Sequence, residues 1–400
     1  MTYLIAGNGP AAVSAVRAIR EEDTSGRIIM VSPEANAPYS RITVPELMVG
    51  EIDEPDIYFA PGFYDEYRVE TRLGSRVAGL KPDAHIAVLD NGEEIVYDKL
   101  LLATGAHPFM PDWADLSLEG INSLWDKADA EKIGKKIHPG ENAVIAGAGL
   151  VAFQAARALN AFGMQVTLVA RRYIMSRQLD AKAAEILKAA AEQCGVRVLL
   201  HTSVEEVRTE NGAVRGVKLT NGETIETNCL LACMGTKPNL AMLDGVLEYT
   251  DGVEVDDAMQ TALPDIYAAG DIVRARMRFS DSKSVRAIWP NAVAQGAVAG
   301  KNMAGVRALS EGSQAMNSIE LFGVSFISAG QIEAKEGQQE VLLRNTPEAY
   351  HKLILEDGVL VGVTFAGSVQ QAGTLVAKLG SPISGYAPRV EQLSAELLAE

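Results

Sequence analysis

The sequence predicts an α/β fold with two three-layer domains, followed by a small α+β domain at the C-terminal end. A glycine-rich turn between an apolar strand and an alanine-rich helix occurs at Gly7 and again at Gly147, 140 residues later (147 − 7). A second apolar strand follows each helix, and this strand–helix–strand order builds parallel sheets. A compact β-rich stretch over residues 317–380 predicts the third domain.

The first half of the chain is divided by its apolar runs and turn residues. Residues 3–6, 10–20 and 28–32 are predicted as strand, helix and strand of the first unit. Residues 36–50 are predicted to be irregular. Short strands are predicted over 77–105, with an Asn91-Gly92 turn that is typical of a two-residue hairpin.

The second unit repeats this organisation. Residues 142–146, 150–162 and 165–169 are predicted as strand, helix and strand. Further strands are predicted over 196–233, including a hairpin at Asn221-Gly222.

The remaining chain is predicted to contain a helix, a linker and a tail. The helix covers 285–304 with a Trp289-Pro290-Asn291 start, and a polar linker covers 309–316. The predicted domains are 1–112 with 252–310, then 113–251, then 317–386, with a tail helix over 387–400. An apolar stripe at helical spacing in this tail indicates either a docking helix for a partner or packing on its own domain; it comprises Val390, Leu393, Leu397 and Leu398.

The composition excludes several classes of function. The chain has 36 basic and 52 acidic residues, a net charge of −16, which disfavours binding to nucleic acid or to anionic membranes. No apolar run is long enough to span a membrane, and no export signal precedes the first strand, so a cytoplasmic location is expected. The five histidines, His85, His107, His138, His201 and His351, lack the spacing of metal ligands, so no metal is expected and each is predicted to be a surface or loop residue.

The first glycine turn has the features of a dinucleotide site. Gly7 permits a tight turn, Gly9 lets the backbone approach a pyrophosphate, and Pro10 and Ala11 begin the helix whose N-terminus attracts phosphate. Glu34 follows the second strand, where a carboxylate can hold ribose hydroxyl groups. The complete strand–turn–helix–acid order indicates a Rossmann-like domain more strongly than glycine spacing alone.

The second glycine turn differs from the first in the residues after its second strand. Gly147 and Gly149 repeat the turn, with Ala152 at the position of the third glycine. The strand ends at Arg171 and Arg172, with no acid for a ribose 2′-hydroxyl group. Guanidinium groups match the geometry of a 2′-phosphate, so NADPH is expected to bind at least as well as NADH. The alternative is that both arginines are solvated turn residues.

Two more strand ends have features of a flavin site. Ala103-Thr104-Gly105 follows one strand, and Asp271 follows a Gly270 that lets the backbone approach a ligand. A carboxylate at this place can accept a hydrogen bond from a ribityl hydroxyl group of a flavin. Either strand end alone is also consistent with an ordinary loop.

In this order, the motifs resemble those of the FAD-dependent pyridine-nucleotide oxidoreductases with two dinucleotide domains, over residues 1 to about 310. Residues 38–41, ending at Arg41, and 289–296, beginning at Trp289, resemble the rubredoxin reductases and the large subunits of NAD(P)H nitrite reductase. Residues 231–239, with Gly235, resemble the matching loop of the nicotinamide domain. The resemblance implies FAD in the first domain and NAD(H) or NADP(H) in the second.

The chain departs from this family in ways that bear on mechanism. It has no Cys-x4-Cys pair beside the predicted flavin and no cysteine before Cys194, so no disulfide or thiolate relay is expected. Where related reductases carry a lysine and a glutamate near the flavin, the matching positions hold Glu46 and Gln154. One expectation is that both residues lie near the flavin and tune its potential. The alternative is that Glu46 faces solvent and Gln154 packs against a helix.

The resulting interpretation is an FAD-dependent NAD(P)H oxidoreductase that exchanges electrons with a rubredoxin-type or iron–sulfur partner, without a redox disulfide. The partner is expected to be a redox protein or a subunit of a hetero-oligomeric complex. One alternative is a free-standing NAD(P)H oxidase or diaphorase that uses oxygen or quinone. Another is a flavin-bearing interaction subunit with a decayed nicotinamide site, favoured by Ala152, Gln154 and Ala170.

Overall fold

The computed structural model describes residues 1–280 and 282–383. Two compact units are present. The first comprises residues 1–41, 53–107 and 236–314, and the second comprises residues 42–52, 108–235 and the described residues from 315 onward. Each unit is therefore built from segments that are distant in sequence.

Twenty-six strands, numbered in chain order, form the sheets of the described residues. They are β1 (Thr2–Ala6), β2 (Arg27–Ser32), β3 (Val69–Leu73), β4 (Val77–Lys81), β5 (Ile86–Leu89), β6 (Glu94–Val96), β7 (Lys99–Leu102), β8 (Ala106–Pro108), β9 (Ile121–Asn122), β10 (Asn142–Ala146), β11 (Gln165–Ala170), β12 (Arg197–Leu200), β13 (Val204–Glu210), β14 (Ala213–Leu219), β15 (Thr224–Glu226), β16 (Cys229–Ala232), β17 (Thr236–Pro238), β18 (Val253–Glu254), β19 (Ile266–Ala268), β20 (Val273–Arg276), β21 (Lys283–Ser284), β22 (Met316–Leu321), β23 (Val324–Gly330), β24 (Gln339–Asn345), β25 (Tyr350–Glu356) and β26 (Val359–Ala366).

Eight α-helices accompany these strands within the described part of the chain. They are α1 (Pro10–Glu22), α2 (Val44–Val49), α3 (Phe63–Glu66), α4 (Lys127–Gly134), α5 (Leu150–Ala161), α6 (Ala181–Gln193), α7 (Trp289–Met303) and α8 (Ala372–Val376).

The first unit is organised around a five-stranded parallel sheet in the order β19-β7-β1-β2-β3. Helices α1 and α7 pack against each other beside this sheet. Their backbones come close because Gly296 has no side chain: a Cβ atom there would lie 2.2 Å from the Ala11 carbonyl oxygen. The antiparallel sheet β4-β5-β6 includes the predicted Asn91-Gly92 hairpin turn.

The second unit contains an equivalent parallel sheet in the order β12-β11-β10-β16-β9. Strands β13, β14 and β15 form a separate antiparallel sheet, and its β14–β15 turn is the predicted Asn221-Gly222 hairpin. The order of parallel strands and helices in both units confirms the predicted α/β fold with Rossmann-like sheets.

The second unit also contains a five-stranded antiparallel sheet, the C-terminal sheet, in the order β22-β23-β26-β25-β24. Helix α8 packs on β26, and helix α6 packs against β23 and β26. The buried side chains of Leu353, Val363 and Phe365 form part of its core. The predicted β-rich stretch after residue 316 is confirmed, whereas the predicted tail helix over 387–400 lies outside the described residues.

Two local predictions are wrong. Residues 36–50 are not wholly irregular, because they contain helix α2 (Val44–Val49), which is followed by Gly50 with a left-handed φ of 73°. A helix of six residues is too short to give a periodic apolar pattern. His351 is not a surface residue: it is 1% exposed and its ring stacks on Phe365, with centroids 4.1 Å apart.

Across residues 1–280 and 282–383, no helix combines the length and apolar character needed to cross a bilayer. The cytoplasmic location stays a prediction. In the same part of the chain, no group of three or more histidine, cysteine or acidic side chains is placed to hold a metal ion.

Candidate functional site

The turn after β1 has a backbone conformation that requires glycine. Gly7 has φ of 130°, and a Cβ atom there would lie 2.0 Å from the Ala103 carbonyl oxygen. Its backbone N–H donates to the Val31 carbonyl oxygen at 2.8 Å. The turn is thereby held against the ends of the two neighbouring strands.

The N-terminus of α1 is open to a ligand. Gly9 is the residue before the helix, Pro10 is its first residue, and no side chain caps the helix. A Cβ atom on Gly9 would meet no atom within 4 Å, so there is free space in front of the first turn. Unpaired N–H groups and the helix dipole make this space suitable for phosphate.

Glu34 lies after β2 in a small hydrogen-bonded cluster. Its carboxylate accepts hydrogen bonds from the Tyr39 hydroxyl group, at 2.5 Å, and from the Arg41 guanidinium group, with which it also forms an ion pair. The Arg41 guanidinium lies over the Tyr39 ring at 5.4 Å from its centroid. Arg41 therefore orients the acid that the sequence predicts to hold a ribose, a relation that sequence analysis did not reveal.

Asp271 provides a second acid in the first unit, after β19. No donor of the described residues reaches its carboxylate, and loss of hydration raises its pKa, an effect that the charge of Arg41 partly offsets. The preceding Gly270 donates its N–H to the buried Gln295 side chain at 2.9 Å, and Gln295 in turn donates to the Ser313 hydroxyl at 3.0 Å. An unpartnered carboxylate on a fixed turn fits a ligand that donates hydroxyl groups.

The role of Gln295 could not be recognised from the sequence alone. A glutamine in the middle of an otherwise small and apolar helix was the available signal, because such a side chain must find hydrogen-bond partners when it is buried.

The loop after β7 is fixed by reciprocal hydrogen bonds. The Thr104 hydroxyl donates to the Asn239 carbonyl oxygen at 3.1 Å, and the Asn239 side-chain amide donates to the Thr104 carbonyl oxygen at 2.8 Å. Gly105 has a left-handed φ of 65°. Trp289, at the start of α7, meets the Phe59 ring edge-on at 4.8 Å between centroids.

The second glycine turn repeats the geometry of the first. Gly147 has φ of 132°, and a Cβ atom there would lie 2.0 Å from the Cys233 carbonyl oxygen. Gly149 precedes α5, no side chain caps this helix, and a Cβ atom on Gly149 would meet no atom within 4 Å. Ala152 is completely buried, and Gly235 has a left-handed φ of 101°.

A glycine turn followed by an uncapped helix N-terminus is typical of a dinucleotide-binding site, and this arrangement occurs twice. Over residues 1–296 the chain matches the family model described as pyridine nucleotide-disulphide oxidoreductase. The chain belongs to this family. It is an FAD-dependent NAD(P)H oxidoreductase.

Curated relatives of this oxidoreductase agree with the predicted branch. The epsilon subunit of NADH-dependent phenylglyoxylate dehydrogenase from Aromatoleum evansii is 35% identical over 371 residues, which are 90% of this chain and 87% of the relative. A rubredoxin-NAD(+) reductase from Pseudomonas putida is 29% identical over 76% of this chain and 80% of its own length. The resemblance to rubredoxin reductases is confirmed.

A solved structure supports the fold of the oxidoreductase. An engineered water-forming NADPH oxidase, bound to NADPH, is 20% identical and superposes with a TM-score of 0.89 over 100% of this chain and 98% of that one. The predicted cofactors, FAD and a nicotinamide nucleotide, are those of the family. The roles of individual residues stay predictions.

The cysteines of the oxidoreductase do not form a redox disulfide. Cys194, Cys229 and Cys233 are all free thiols. Burial raises the pKa of Cys229 and of Cys233 to about 12, so neither is a thiolate near neutral pH.

Glu46 and Gln154, the residues predicted to match the family's lysine and glutamate positions, lie on α2 and α5, which pack together. Arg157 lies on α5 one turn after Gln154. Its guanidinium group forms ion pairs with Glu46 at 3.0 Å and with Glu51 at 2.8 Å. Gln154 is partly buried. Arg157 could not be recognised from the sequence, because a lone arginine on a helix is usually a solvated residue.

Proposed function

We propose that this oxidoreductase transfers electrons between a nicotinamide nucleotide and a rubredoxin-type or iron–sulfur partner, without a disulfide relay. The observation that carries the proposal is the pair of matching phosphate cradles. Gly7 and Gly147 have φ of 130° and 132°, and an open helix N-terminus follows each turn. Cys194, Cys229 and Cys233 form no disulfide with one another, which supports the flavin as the group from which electrons leave the chain.

In this proposal the chain binds and orients its two cofactors. The N-termini of α1 and α5 bind pyrophosphate groups, and Glu34 and Asp271 accept hydrogen bonds from sugar and ribityl hydroxyl groups. Bound FAD supplies the chemistry, because it accepts a hydride and releases electrons one at a time. No protein acid or base is required for this transfer.

We further propose that the partner is a subunit of a permanent complex. The relative from Aromatoleum evansii is named as a dehydrogenase subunit, which supports this arrangement. The net charge of −16 also favours it, since long-range repulsion would slow repeated encounters with a free acidic redox protein.

Anaerobic mixing tests the function and its alternatives. NADH or NADPH is expected to bleach the flavin absorbance of the purified chain, and rubredoxin or ferredoxin is expected to reoxidise it faster than oxygen does. Faster reoxidation by oxygen or quinone would favour the oxidase or diaphorase alternative. A flavin that stays oxidised with both nucleotides would contradict the proposed electron transfer and favour a decayed nicotinamide site.

The choice of nucleotide is a second proposal, carried by three arginines. We propose that NADPH binds at least as well as NADH. Arg171, Arg172 and Arg177 lie in the segment between β11 and α6, and all three side chains are exposed. None of them forms an ion pair with another described residue, although acidic residues outnumber basic ones in the chain. Unpaired guanidinium groups beside a dinucleotide turn suit a 2′-phosphate.

The engineered NADPH oxidase provides independent support. It carries five substitutions. The first changes a glycine to alanine. The others change an aspartate to alanine 18 residues later, an alanine to arginine 19 residues later, a methionine to serine 20 residues later and a proline to arginine 25 residues later. This chain has Ala152 and, at the same spacings, Ala170, Arg171, Arg172 and Arg177. Four of the five residues agree, so the two alanines support NADPH binding rather than decay of the site.

A charge-removing variant tests the three arginines. The combined change Arg171→Ser, Arg172→Ser and Arg177→Ser is expected to raise the KM for NADPH about tenfold or more, because each charged hydrogen bond lost costs about 1.5–3 kcal/mol. The KM for NADH should change by less than about threefold, because NADH has no 2′-phosphate for the arginines to bind. Steady-state flavin reduction with each nucleotide measures both constants. A strong NADH preference of the unmodified protein would contradict this proposal.

A further inference from the structure

The segment 171–179, which carries the three arginines, is held on one side by the second glycine turn. The Met175 N–H donates to the carbonyl oxygen of Ala148, in the middle of that turn, at 2.8 Å. Met175 has a left-handed φ of 43° and is 2% exposed. The segment is therefore folded against the place where the pyrophosphate is proposed to bind.

The segment ends at Asp180, which is held by the C-terminal sheet. Asp180 Oδ1 accepts a hydrogen bond from the Ala183 N–H at 3.0 Å and so caps α6. Asp180 Oδ2 accepts from the Tyr350 hydroxyl at 2.8 Å and lies 2.5 Å from Lys352 Nζ. The side chains of Asp180 and Lys352 are 4% and 3% exposed, so water does not screen this ion pair.

Lys352 forms further hydrogen bonds within this cluster. Its ammonium group also donates to the Ile332 carbonyl oxygen at 2.9 Å and to Glu340 Oε1 at 3.2 Å. Burial lowers the pKa of Lys352, but the hydrogen bonds and charges of Asp180 and Glu340 outweigh this effect and raise it. Lys352 is therefore charged near neutral pH.

Three anchors thus fix the arginine segment: the end of β11, the Met175 hydrogen bond and Asp180. The last of these depends on strand β25, which contains Tyr350 and Lys352. Because α6 also packs against β23 and β26, the C-terminal sheet supports both Asp180 and the helix that begins beside it.

We propose that Lys352 and Tyr350 are positioning residues for the nicotinamide nucleotide. Through Asp180 they set the position of segment 171–179, and this position determines how tightly its arginines bind the 2′-phosphate of the nucleotide. The C-terminal sheet is in this view a part of the nucleotide site. The inference rests on the nucleotide function proposed above.

The test measures binding of 2′,5′-ADP and 5′-AMP to the full FAD-loaded chain by titration calorimetry. Lys352→Met is expected to weaken 2′,5′-ADP binding about tenfold, because a tenfold change, about 1.4 kcal/mol, lies within the range by which misplaced support residues alter ligand affinity. Binding of 5′-AMP should weaken by less than about threefold, since it lacks the phosphate that the arginines bind. Tyr350→Phe removes one hydrogen bond to Asp180 and should give a smaller loss of the same kind.

Lys182→Met is the matched control, because Lys182 lies in the first turn of α6 but forms an exposed pair with Glu185. It should leave both affinities unchanged. Unaltered 2′,5′-ADP binding in FAD-loaded Lys352→Met would overturn the inference. If Lys352→Met does not yield FAD-loaded protein, Tyr350→Phe decides in the same way. Unmodified protein that binds neither probe would instead contradict the proposed function.

Discussion

Gly9→Val is expected to give a folded protein that has lost its FAD, and Gly149→Val a yellow protein that NAD(P)H no longer reduces. Gly9 and Gly149 have φ of −88° and −84°, which valine adopts without strain, and their Cβ positions are free of protein atoms. The added methyl groups fill the space where phosphate would approach the helix N–H groups. Affinity should fall at least about tenfold, because a hydrogen bond to a charged group contributes about 1.5–3 kcal/mol.

FAD content after gel filtration and anaerobic flavin reduction measure these two losses. Gly79→Ala and Gly373→Ala are matched controls, because a Cβ atom at either glycine would also meet no atom within 4 Å. Both controls should keep FAD and its reduction by NAD(P)H. If Gly9→Val bound FAD like the unmodified chain, the space in front of α1 would not be the phosphate site.

Lys352→Met is expected to lower the free energy of unfolding by about 3–5 kcal/mol, because it leaves Asp180 buried without its cation. The double change Lys352→Met and Asp180→Asn should restore much of this loss. A neutral asparagine still accepts the hydrogen bond from the Ala183 N–H and needs no counter-charge. Urea unfolding followed by circular dichroism measures the differences.

The pH dependence of this loss has a defined sign. The pKa of Lys352 is raised above 10.5 in the folded protein, so its contribution to stability is complete below that pH and declines as pH rises through the folded pKa. The gap between unmodified protein and Lys352→Met should therefore be constant from pH 7 to about 9 and narrow above about 10.5. Lys182→Met, which removes an exposed pair, should cost less than about 1 kcal/mol. A gap as small as that of the control would show that Asp180 does not depend on Lys352.

Most of the fold could be predicted because it repeats. The strand–glycine turn–helix–strand order is a local pattern, and both copies are present with their turns at Gly7 and Gly147. The hairpins at Asn91-Gly92 and Asn221-Gly222 were likewise specified by two-residue turns. Helix α2 was missed because six residues contain too little periodicity to identify a helix.

The candidate site could be predicted only in its local parts. The glycines and strand-end acids can be recognised from nearby sequence, but the partners that orient them come from distant segments. Tyr350 and Asp180 are 170 positions apart, and each residue type, taken alone, is common on protein surfaces. A buried ion pair between such residues is determined by tertiary packing, which one sequence without structural context does not specify.

The two glycine turns are alike in geometry, and this bears on coenzyme choice. Gly7 and Gly147 have φ of 130° and 132°, and a Cβ atom at either would lie 2.0 Å from a carbonyl oxygen, that of Ala103 or of Cys233. With this geometry, phosphate is expected to bind in the same way at both turns. The residues after the second strand differ, an acid in the first unit and arginines in the second. Exchanging a few residues there is therefore expected to change the coenzyme that either unit prefers.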